Sequence, residues 1–392
     1  MRQIEFVKIG DVCDFIGGSQ PPKSTFIYDL AGLNKDDYVR LIQIRDYKSD
    51  KHIVYIPKDK TKKFCSESDV MIGRYGPPVF QILKGLKGAY NVALMKAIPD
   101  ESILDKEYLF KFLQSPNIQK YVIALSERAA GQSGVNKPAL HDYPIYLPTL
   151  ETQKLIVAKL DKAFADIEKA KVNAEQNLNN SKELFDSYLL NKFDNKKGNW
   201  SKFKLTEISQ VIDSLHKTPK YVVDGFPMVR VTDIKFGGLV LSKTKKVDKQ
   251  TFIEFSKRYT PKVGDIVFSR VGSYGRSSIV CTNEEFCLGQ NTVFLIPSIN
   301  SYFFYYFLNS PIAKNQIDKL VSGSTQPTVS LKSIKSIEIL VPEVDEQEKI
   351  VDEIKKMEVH TQNLERIYLE KLNVLEELKQ SILQKAFNGE LA

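Results

Sequence analysis

The side chains that could perform chemistry in this 392-residue chain are few and widely spaced. Neither the cysteines nor the histidines form a Cys-x-x-Cys pair or another metal-ligand spacing; they are Cys13, Cys65, Cys281, Cys287, His52, His141, His216 and His360. The sequence therefore indicates neither a zinc site nor a disulfide framework, and it predicts a reducing, cytoplasmic environment. Asp69 and Asp265 each stand alone before a strand pattern, without the paired carboxylates that hold a divalent ion, so we interpret them as turn residues.

Other catalytic patterns are also missing from the sequence. There is no Gly-x-x-x-x-Gly-Lys-Ser/Thr phosphate loop and no dinucleotide-binding glycine pattern after a strand, and the motif from Gly272 to Arg276 is typical of a tight turn. His141 and His216 have no partners at the spacing of a nucleophile and its base. We therefore expect no catalytic residue and no metal site, and a chain that is not itself an enzyme.

Composition places the chain among ordinary folded proteins. It is 42% hydrophobic and 27% charged, and its length exceeds what one core usually supports, so at least two domains are expected. Glu5, Lys8 and Asp11 interrupt the apolar run that a signal peptide would need. Residues 286–313 carry no charge, but asparagines and prolines break them, which favours a buried strand followed by a short helix over a membrane span.

Basic charge is concentrated in two blocks. The net charge of +8 divides into +4 for residues 1–147, −1 for 148–194, +10 for 195–341 and −5 for 342–392. A basic balance permits a nucleic-acid partner, and its restriction to two blocks indicates where such a partner would bind.

The two segments with negative net charge are copies of one another. With an offset of 194 residues, Pro148 aligns with Pro342, Gln153 with Gln347, and Ile156 with Ile350. The same offset still holds at the far end, where residues 183–193 align with 377–387. An ungapped repeat of this length predicts a duplicated architecture.

The basic blocks match one another only in patches. These patches pair Val39-Arg40 with Val229-Arg230, Thr61-Lys62-Lys63 with Thr244-Lys245-Lys246, Asp69 to Gly76 with Asp265 to Gly272, Asn91 with Asn291, and Leu113 to Pro116 with Leu308 to Pro311. We therefore divide the chain into a first basic domain (1–147), a central helix (148–194), a second basic domain (195–341) and a C-terminal helix (342–392).

The repeated segments predict two long helices, because residues 148–194 and 342–388 contain no glycine, and proline occurs only at their starts. Apolar residues recur in a narrow stripe typical of helix pairing, and about forty residues make a rod of roughly 60 Å. We expect an antiparallel coiled coil with pseudo-two-fold symmetry, paired through Ile156, Leu160, Ile167, Leu184, Ile350, Ile354, Met357, Leu364, Leu375 and Leu378.

The basic blocks predict α+β domains with irregular, mostly antiparallel sheets. Short β-branched runs between turn residues indicate strands at 39–44, 52–56, 229–234, 264–268 and 292–297. Helices are expected at 106–113 and 301–308.

Polar side chains at strand ends and glycine turns indicate contact with double-stranded DNA. Arginine can bind guanine O6 and N7, asparagine and glutamine can bind adenine N6 and N7, and the Thr-Lys-Lys segments suit phosphates. The candidates are Arg40, Arg45, Lys62, Lys63, Arg74, Tyr75, Asn91, Arg230, Lys235, Lys245, Lys246, Arg270, Tyr274, Arg276, Asn291 and Gln326.

Along nearly its whole length the chain resembles the specificity subunit of type I restriction-modification systems. The features that carry the resemblance are the Pro-x-x-x-x-x-Gln-x-x-Ile-Val start of each helix, the duplication, and Ala-Phe-Asn-Gly-Glu-Leu from Ala386 to Leu391. The resemblance implies a non-catalytic subunit in which two domains each read half of a split, asymmetric DNA site. It also implies that the helices act as spacer and as docking surface for two methyltransferase subunits.

The resemblance further implies restriction subunits as partners, with S-adenosylmethionine, ATP and Mg bound on partner subunits and no cofactor in this chain. No methyltransferase Asn/Asp-Pro-Pro-Tyr/Phe motif occurs in the sequence. The alternative interpretation is a non-catalytic scaffold protein with tandem α+β modules and a coiled-coil clasp that binds proteins only. Affinity for random duplex that falls steeply with salt would argue against that alternative.

Overall fold

The computed structural model describes residues 6–76, 78–127, 134–194, 200–323 and 326–391. It is an α+β protein that divides into two compact units. Unit 1 comprises Met1–Ala174 together with Glu370–Ala392, and unit 2 comprises Glu175–Leu369. Each unit therefore contains one basic block and part of both repeated segments.

Two helices are far longer than the others, and both fall where the sequence predicts them. Among the described residues the helices are α1 (Lys106–Leu113), α2 (Pro116–Glu127), α3 (Lys137–Asp142), α4 (Leu150–Phe193), α5 (Leu205–Ile208), α6 (Lys249–Ser256), α7 (Ser301–Asn309), α8 (Pro311–Leu320), α9 (Leu331–Lys335) and α10 (Val344–Phe387). The predicted helices at 106–113 and 301–308 are confirmed as α1 and α7. No helix in the described ranges is long and apolar enough to cross a membrane.

Unit 1 contains two four-stranded sheets and a two-stranded ribbon. Its strands are β1 (Phe6–Lys8), β2 (Cys13–Gly17), β3 (Tyr38–Ile42), β4 (Tyr55–Pro57), β5 (Phe64–Cys65), β6 (Val70–Gly73), β7 (Gln81–Leu83), β8 (Gly88–Tyr90), β9 (Leu94–Pro99) and β10 (Pro144–Tyr146). The strand orders are β2-β9-β6-β7, β4-β3-β8-β5 and β1-β10.

Unit 2 repeats this order with fewer strands in its second sheet. Its strands are β11 (Ser201–Lys204), β12 (Ser209–Asp213), β13 (Phe226–Val229), β14 (Lys245–Val247), β15 (Ile266–Ser269), β16 (Ser277–Ile279), β17 (Cys287–Leu288), β18 (Thr292–Pro297), β19 (Val321–Ser322), β20 (Thr328–Val329) and β21 (Glu338–Val341). The strand orders are β12-β18-β15-β16, β14-β13-β17, β11-β21 and β19-β20. Strand pairing is mostly antiparallel, as predicted, and the parallel pairs between described strands are β3 with β8 and β13 with β17.

One predicted strand is wrong. The run 229–234 leaves the sheet at Val229, and Val231–Asp233 forms a 3₁₀ turn. The turn forms because the Asp233 carboxylate accepts the backbone N–H of Arg230 at 2.9 Å. A side chain that bonds its own backbone offers the chain an alternative to the sheet, and β-branched composition does not reveal it.

The uncharged segment 286–313 forms the interior of unit 2. It supplies β17, β18 and α7, and every α7 residue from Phe303 to Asn309 is buried. The prediction of a buried strand followed by a short helix is confirmed.

Each long helix ends in an aromatic contact that the duplication repeats. In unit 1 the ring of Phe387 lies 5.1 Å from that of Tyr108 and 5.4 Å from that of Phe112, both on α1. In unit 2 the ring of Phe193 lies 5.2 Å from that of Phe303 and 5.7 Å from that of Phe307, both on α7. Such edge-on pairs stabilise a core beyond the area they bury.

The first turn of each long helix carries a buried glutamine. Gln153 accepts the N–H of Asp105 at 2.8 Å and donates to the carbonyl oxygens of Ile103 and Pro148. Gln347 accepts the N–H of Asn300 at 3.0 Å and donates to the carbonyl oxygen of Pro342 at 2.9 Å. Because Asp105 and Asn300 cap α1 and α7, one buried amide in each unit joins the start of a long helix to the start of a short one.

Helices α4 and α10 pack antiparallel. In unit 1 the beginning of α4 shares a core with the end of α10, where Ile156 and Leu160 lie with Leu383. In unit 2 the end of α4 shares a core with the beginning of α10, where Leu189 lies with Ile350. The hydroxyls of Ser181 and Thr361, buried in this seam, bond to carbonyls one turn back in their own helices.

Near the C-terminal end of both helices, the buried positions of the seam lie one residue later than the predicted hydrophobic pattern places them. Ile156, Leu160, Ile167, Ile350 and Ile354 are buried as predicted. Met357, Leu364 and Leu375 are partly buried. The predicted pairing residues Leu184 and Leu378 are instead 42% and 45% exposed, and Leu189 and Leu383 are buried. A nearly straight helix of 3.6 residues per turn drifts about 20° per heptad from a 3.5-residue pattern, so inward positions move one residue onward over several turns.

We predict that leucines on the two sides of this shift contribute differently to stability. Leu189→Ala and Leu383→Ala should each lower the free energy of unfolding by about 2–4 kcal/mol, because they leave cavities in a buried seam. Leu184→Ala and Leu378→Ala should each cost less than about 0.5 kcal/mol, because those side chains are largely solvated. Urea denaturation followed by circular dichroism measures both pairs; equal losses at all four positions would contradict the shifted seam.

Candidate nucleic-acid interface

In unit 1, loops from both four-stranded sheets meet at the ends of β2, β3, β6 and β8. The N–H of Asn91 donates to the carbonyl of Ile42 at 3.1 Å, that of Arg74 donates to Ala93 at 2.8 Å, and that of Ser19 donates to Tyr90 at 3.2 Å. We call residues 18–20, 43–47, 61–63, 74–76 and 91–93 loop cluster 1. Backbone bonds between the loops hold their side chains in defined positions.

Arg74 is a partly exposed cation of loop cluster 1 whose position is fixed by two contacts. Its guanidinium donates to the carbonyl of Val92 at 3.3 Å and lies 5.1 Å from the centre of the Tyr75 ring. No carboxylate of the described residues pairs with it, and both side chains are partly exposed. A glycine is required at position 18, since a Cβ there would lie 2.1 Å from the Asn91 carbonyl oxygen. The structure thus brings together the predicted residues Arg74, Tyr75 and Asn91.

In unit 2 the corresponding loops follow β12, β13, β15 and β17. The N–H of Arg270 donates to the carbonyl of Asn291 at 2.9 Å, and that of Gly289 donates to Val229 at 2.8 Å. Asn291 has a φ of 65°, a left-handed conformation that asparagine tolerates better than most residues. We call residues 214–218, 230–233, 270–276 and 289–291 loop cluster 2.

Strand register shows which residues of the two clusters correspond. Gly17 pairs with Met95 in unit 1, and Asp213 pairs with Val293 in unit 2. Gly73 pairs with Leu94, and Ser269 pairs with Thr292. Arg74 and Arg270 are therefore equivalent, as predicted.

The same register contradicts two of the sequence matches, that of Asn91 with Asn291 and that of Arg40 with Arg230. Asn91 corresponds to Gly289, because each donates to the last residue of the neighbouring strand, and Asn291 corresponds to Ala93. Arg230 corresponds to Gln43, since in both positions the N–H is accepted by an aspartate three residues on. Similar dipeptides in short loops do not establish equivalence; the hydrogen-bonded register does.

The two Thr-Lys-Lys segments also lie in different places. Lys245 and Lys246 belong to β14, which pairs with β13. Lys62 and Lys63 precede β5, which pairs with β8 on the other side of the sheet. Lys245 lies 4.5 Å from the centre of the Tyr221 ring, and Lys246 lies 3.8 Å from a carboxylate oxygen of Asp224.

An ion pair distinguishes loop cluster 2 from loop cluster 1. The Arg270 guanidinium donates to Oδ1 of Asp213 at 2.8 Å, and the two side chains are only 13% and 15% exposed. It also donates to the carbonyl of Val329 at 3.2 Å. The position of Asp213 is occupied by Gly17 in unit 1, where a Cβ would lie 3.3 Å from the Arg74 guanidinium. One arginine is thus held by an acid and its equivalent is not.

His216 completes this network. Its Nε2 lies 2.8 Å from Oδ2 of Asp213, and its side chain is 55% exposed. The sequence analysis assigned His216 no partner. Asp213 can be identified as its partner only from the structure, where Asp213 is the last residue of β12 and the following loop brings His216 against it. The three-residue spacing between the two was the signal available in the sequence.

The remaining predicted residues are spread over both units. Arg40 and Arg230 pair with Asp50 and Asp233. Arg45, Lys62 and Gln326 are exposed and Lys63 is partly exposed. Lys235, Tyr274 and Arg276 line a cleft of about 690 Å³ in unit 2, whose other walls include Asp186 of α4 with Glu358 and Glu365 of α10.

Asp69 and Asp265 are turn residues, as predicted. Asp69 accepts the N–H of Ser66 at 2.8 Å and pairs with Lys96 at 2.6 Å, and Asp265 accepts from Tyr259 and Lys262. Burial alone would raise the pKa of Asp69, but the bonds from Lys96 and Ser66 outweigh burial and lower it. Within the described ranges, no group of three acidic, histidine or cysteine side chains is arranged to hold a metal.

Two α+β units with different polar loop clusters on one duplicated scaffold define a tandem recognition protein. Residues 1–176 and 197–376 match the family model of the type I restriction modification DNA specificity domain. The chain belongs to this family, as its resemblance in sequence indicates, and it is a specificity subunit of a type I restriction-modification system.

Individual relatives agree with this assignment. The type I restriction enzyme EcoBI specificity subunit of Escherichia coli is 25% identical over 390 residues, covering 91% of this chain and 81% of that protein. The MjaVIII specificity subunit of Methanocaldococcus jannaschii is 22% identical and covers 99% of this chain and 92% of its own.

Solved structures share the fold. A chain from a structure describing complex assembly and conformational transition of the type I R-M system superposes with a TM-score of 0.77 at 18% identity, covering 100% of this chain and 99% of its own. The HsdS subunit from Thermoanaerobacter tengcongensis gives 0.59 at 19% identity, covering 98% and 97%.

We predict that the two equivalent arginines differ in their contribution to stability. Arg270→Ala should lower the free energy of unfolding by about 2–4 kcal/mol, because the nearly buried Asp213 carboxylate loses its arginine partner and keeps only the contact with His216. Arg74→Ala should cost less than about 1 kcal/mol, because no acid depends on it. Denaturant titration of both variants measures the difference; similar small losses would show that the ion pair contributes little.

Proposed function

We propose that this specificity subunit reads a bipartite, asymmetric DNA site, with loop cluster 1 contacting one half and loop cluster 2 the other. The observation that carries the proposal is the different chemistry at equivalent positions. Unit 1 presents Arg74 beside Gly17, whereas unit 2 places Asp213 and His216 beside Arg270. Two clusters with different donors and acceptors would select different base edges.

Charge supports this division of roles. The blocks that contain the loop clusters carry net charges of +4 and +10, whereas the repeated helical segments carry −1 and −5. DNA phosphates are attracted to the two basic blocks and repelled by the C-terminal helical segment, which has the net charge of −5. The site residues predicted from sequence remain candidates for these contacts.

We propose that α4 and α10 dock two methyltransferase subunits, and that restriction subunits join the same complex. Outside their buried seam these helices expose large apolar side chains: Leu155, Val172, Val344, Val359, Ile367, Leu369 and Val374. Exposed apolar residues beside acidic ones are typical of a protein-binding surface. The partners would bring S-adenosylmethionine, ATP and Mg, and this chain would direct their chemistry.

We predict that Lys245 and Lys246 contact phosphates and do not read sequence. The double variant Lys245→Gln/Lys246→Gln should weaken binding to every duplex alike. The slope of log affinity against log salt should become shallower by about 0.9 for each phosphate that a lysine no longer neutralises. Fluorescence anisotropy over a salt series measures both effects.

The matched control for this pair is Lys154→Gln/Lys169→Gln, two exposed lysines of α4. These substitutions change the net charge equally but lie on α4 and not in the basic block 195–341, so the slope should stay close to that of the wild type. A weakening confined to one half-site sequence would instead assign Lys245 and Lys246 to base reading.

The proposed function is tested by selection from randomised duplexes with the full chain and its methyltransferase partner. Two unlike half-sites separated by a non-specific gap are expected.

We also propose that the length of α4 and α10 sets the gap between the half-sites. Deletion of 168–174 together with 362–368 should shorten the preferred gap by roughly three base pairs, because seven helical residues span about 10 Å.

The paired deletion removes the same heptad from both copies of the repeat and so keeps α4 and α10 matched in length. Selection of a single continuous site by the wild type would contradict bipartite reading. An unchanged gap in a stably folded deletion variant would contradict only the role of the helices as spacer.

A further inference from the structure

The Asp213 carboxylate uses its two oxygens for two different partners. Oδ1 accepts from the Arg270 guanidinium at 2.8 Å, and Oδ2 lies 2.8 Å from Nε2 of His216. Asp213 and Arg270 are nearly buried, whereas the imidazole is more than half exposed. The nearly buried ion pair therefore contacts a histidine whose side chain is exposed on loop cluster 2.

This contact determines which ring nitrogen of neutral His216 bears the proton. An ionised carboxylate can only accept hydrogen bonds, so Nε2 must be the donor toward Asp213. The other nitrogen, Nδ1, is then an unprotonated acceptor. Among the described residues, no hydrogen bond uses Nδ1, and it remains available to a ligand.

The loop around His216 is anchored from three sides. Arg258 donates to the carbonyl oxygens of Asp213 and Ser214 at 3.1 and 3.3 Å. Gln290 donates to the hydroxyl of Thr218 at 3.3 Å, and Lys217 pairs with Glu254. An exposed side chain on an anchored backbone loses little freedom on binding, which suits it to recognition.

We propose that His216 is a base-reading residue of unit 2, and that Asp213 is the positioning residue that makes its Nδ1 an acceptor. The inference rests on the proposed DNA-reading function. In the major groove an acceptor selects the exocyclic amine of adenine or cytosine. In unit 1 the arginine equivalent to Arg270 is Arg74, which no acid holds and which can only donate, so the two halves would read opposite hydrogen-bonding groups.

Selection from randomised duplexes with the full chain tests the proposal, using wild type, His216→Ala and Asp213→Asn. The control His360→Ala removes an exposed histidine of α10. Wild type and control should prefer adenine or cytosine at one position of the half-site read by unit 2. His216→Ala should reduce that preference by roughly tenfold, with the other half-site unchanged.

Asp213→Asn is the sharper variant because it should invert the preference. Arg270 would retain the amide oxygen, so the amide NH₂ would face Nε2 and donate to it. The proton of neutral His216 would then lie on Nδ1, and a donor at that place selects the carbonyl oxygen of guanine or thymine. Circular dichroism melting establishes that each variant is folded, and His216, being exposed, can be replaced without disturbing the core.

The outcomes separate the two proposals. If the wild type selects two half-sites and His216→Ala selects the same sequences equally well, His216 is not a reading residue, although the proposed function stands. If a folded Asp213→Asn variant keeps the wild-type preference, the assignment of Nδ1 is wrong. If the wild type selects no sequence, the proposed function fails and this inference fails with it.

Discussion

Burial of the inner faces of α4 and α10 is the interaction on which both units depend. Each unit completes its core with parts of both helices: unit 1 requires the end of α10, which is remote in the chain, and unit 2 extends from the end of α4 to the beginning of α10. The duplicated anchors Phe387 and Phe193 fill equivalent places against α1 and α7. Gln153 and Gln347 satisfy backbone groups at the starts of the same helices. Substitution at these positions would disturb a whole unit, which explains why the repeat is so regular there.

The loop clusters are free of that constraint. Their backbones are held by backbone hydrogen bonds, which most side chains permit except at positions such as Gly18, so residues at equivalent positions can differ while the scaffold stays the same. The exchange of Gly17 for Asp213 illustrates the consequence. One added carboxylate draws the equivalent arginine into an ion pair and presents a histidine instead. A recognition surface can therefore change its hydrogen-bonding character without a change of fold.

Prediction from sequence succeeded where the signal was periodic or local. The long helices, α1, α7, β18 and the buried segment 286–313 were recognisable because each combines a hydrophobic pattern with capping or breaking residues. The seam was recognisable for the same reason, up to the point where Leu184 and Leu378 leave it. Correspondence between the two loop clusters could not be predicted, since short identical dipeptides recur by chance, and the matches of Arg40 with Arg230 and of Asn91 with Asn291 were misleading.

The sequence by itself determined the duplication, the helices, the α+β class and the segregation of basic charge, because these properties are carried by residues close together in the chain or by their sums. Only the tertiary structure decided which polar side chains meet. Arg270 lies 57 residues from Asp213 in the sequence. The two side chains form an ion pair only because β12 and β15 flank β18 in one sheet, which brings the ends of β12 and β15 together. Contacts between distant residues depend on strand order and register, and these are settled by burial of the whole sheet.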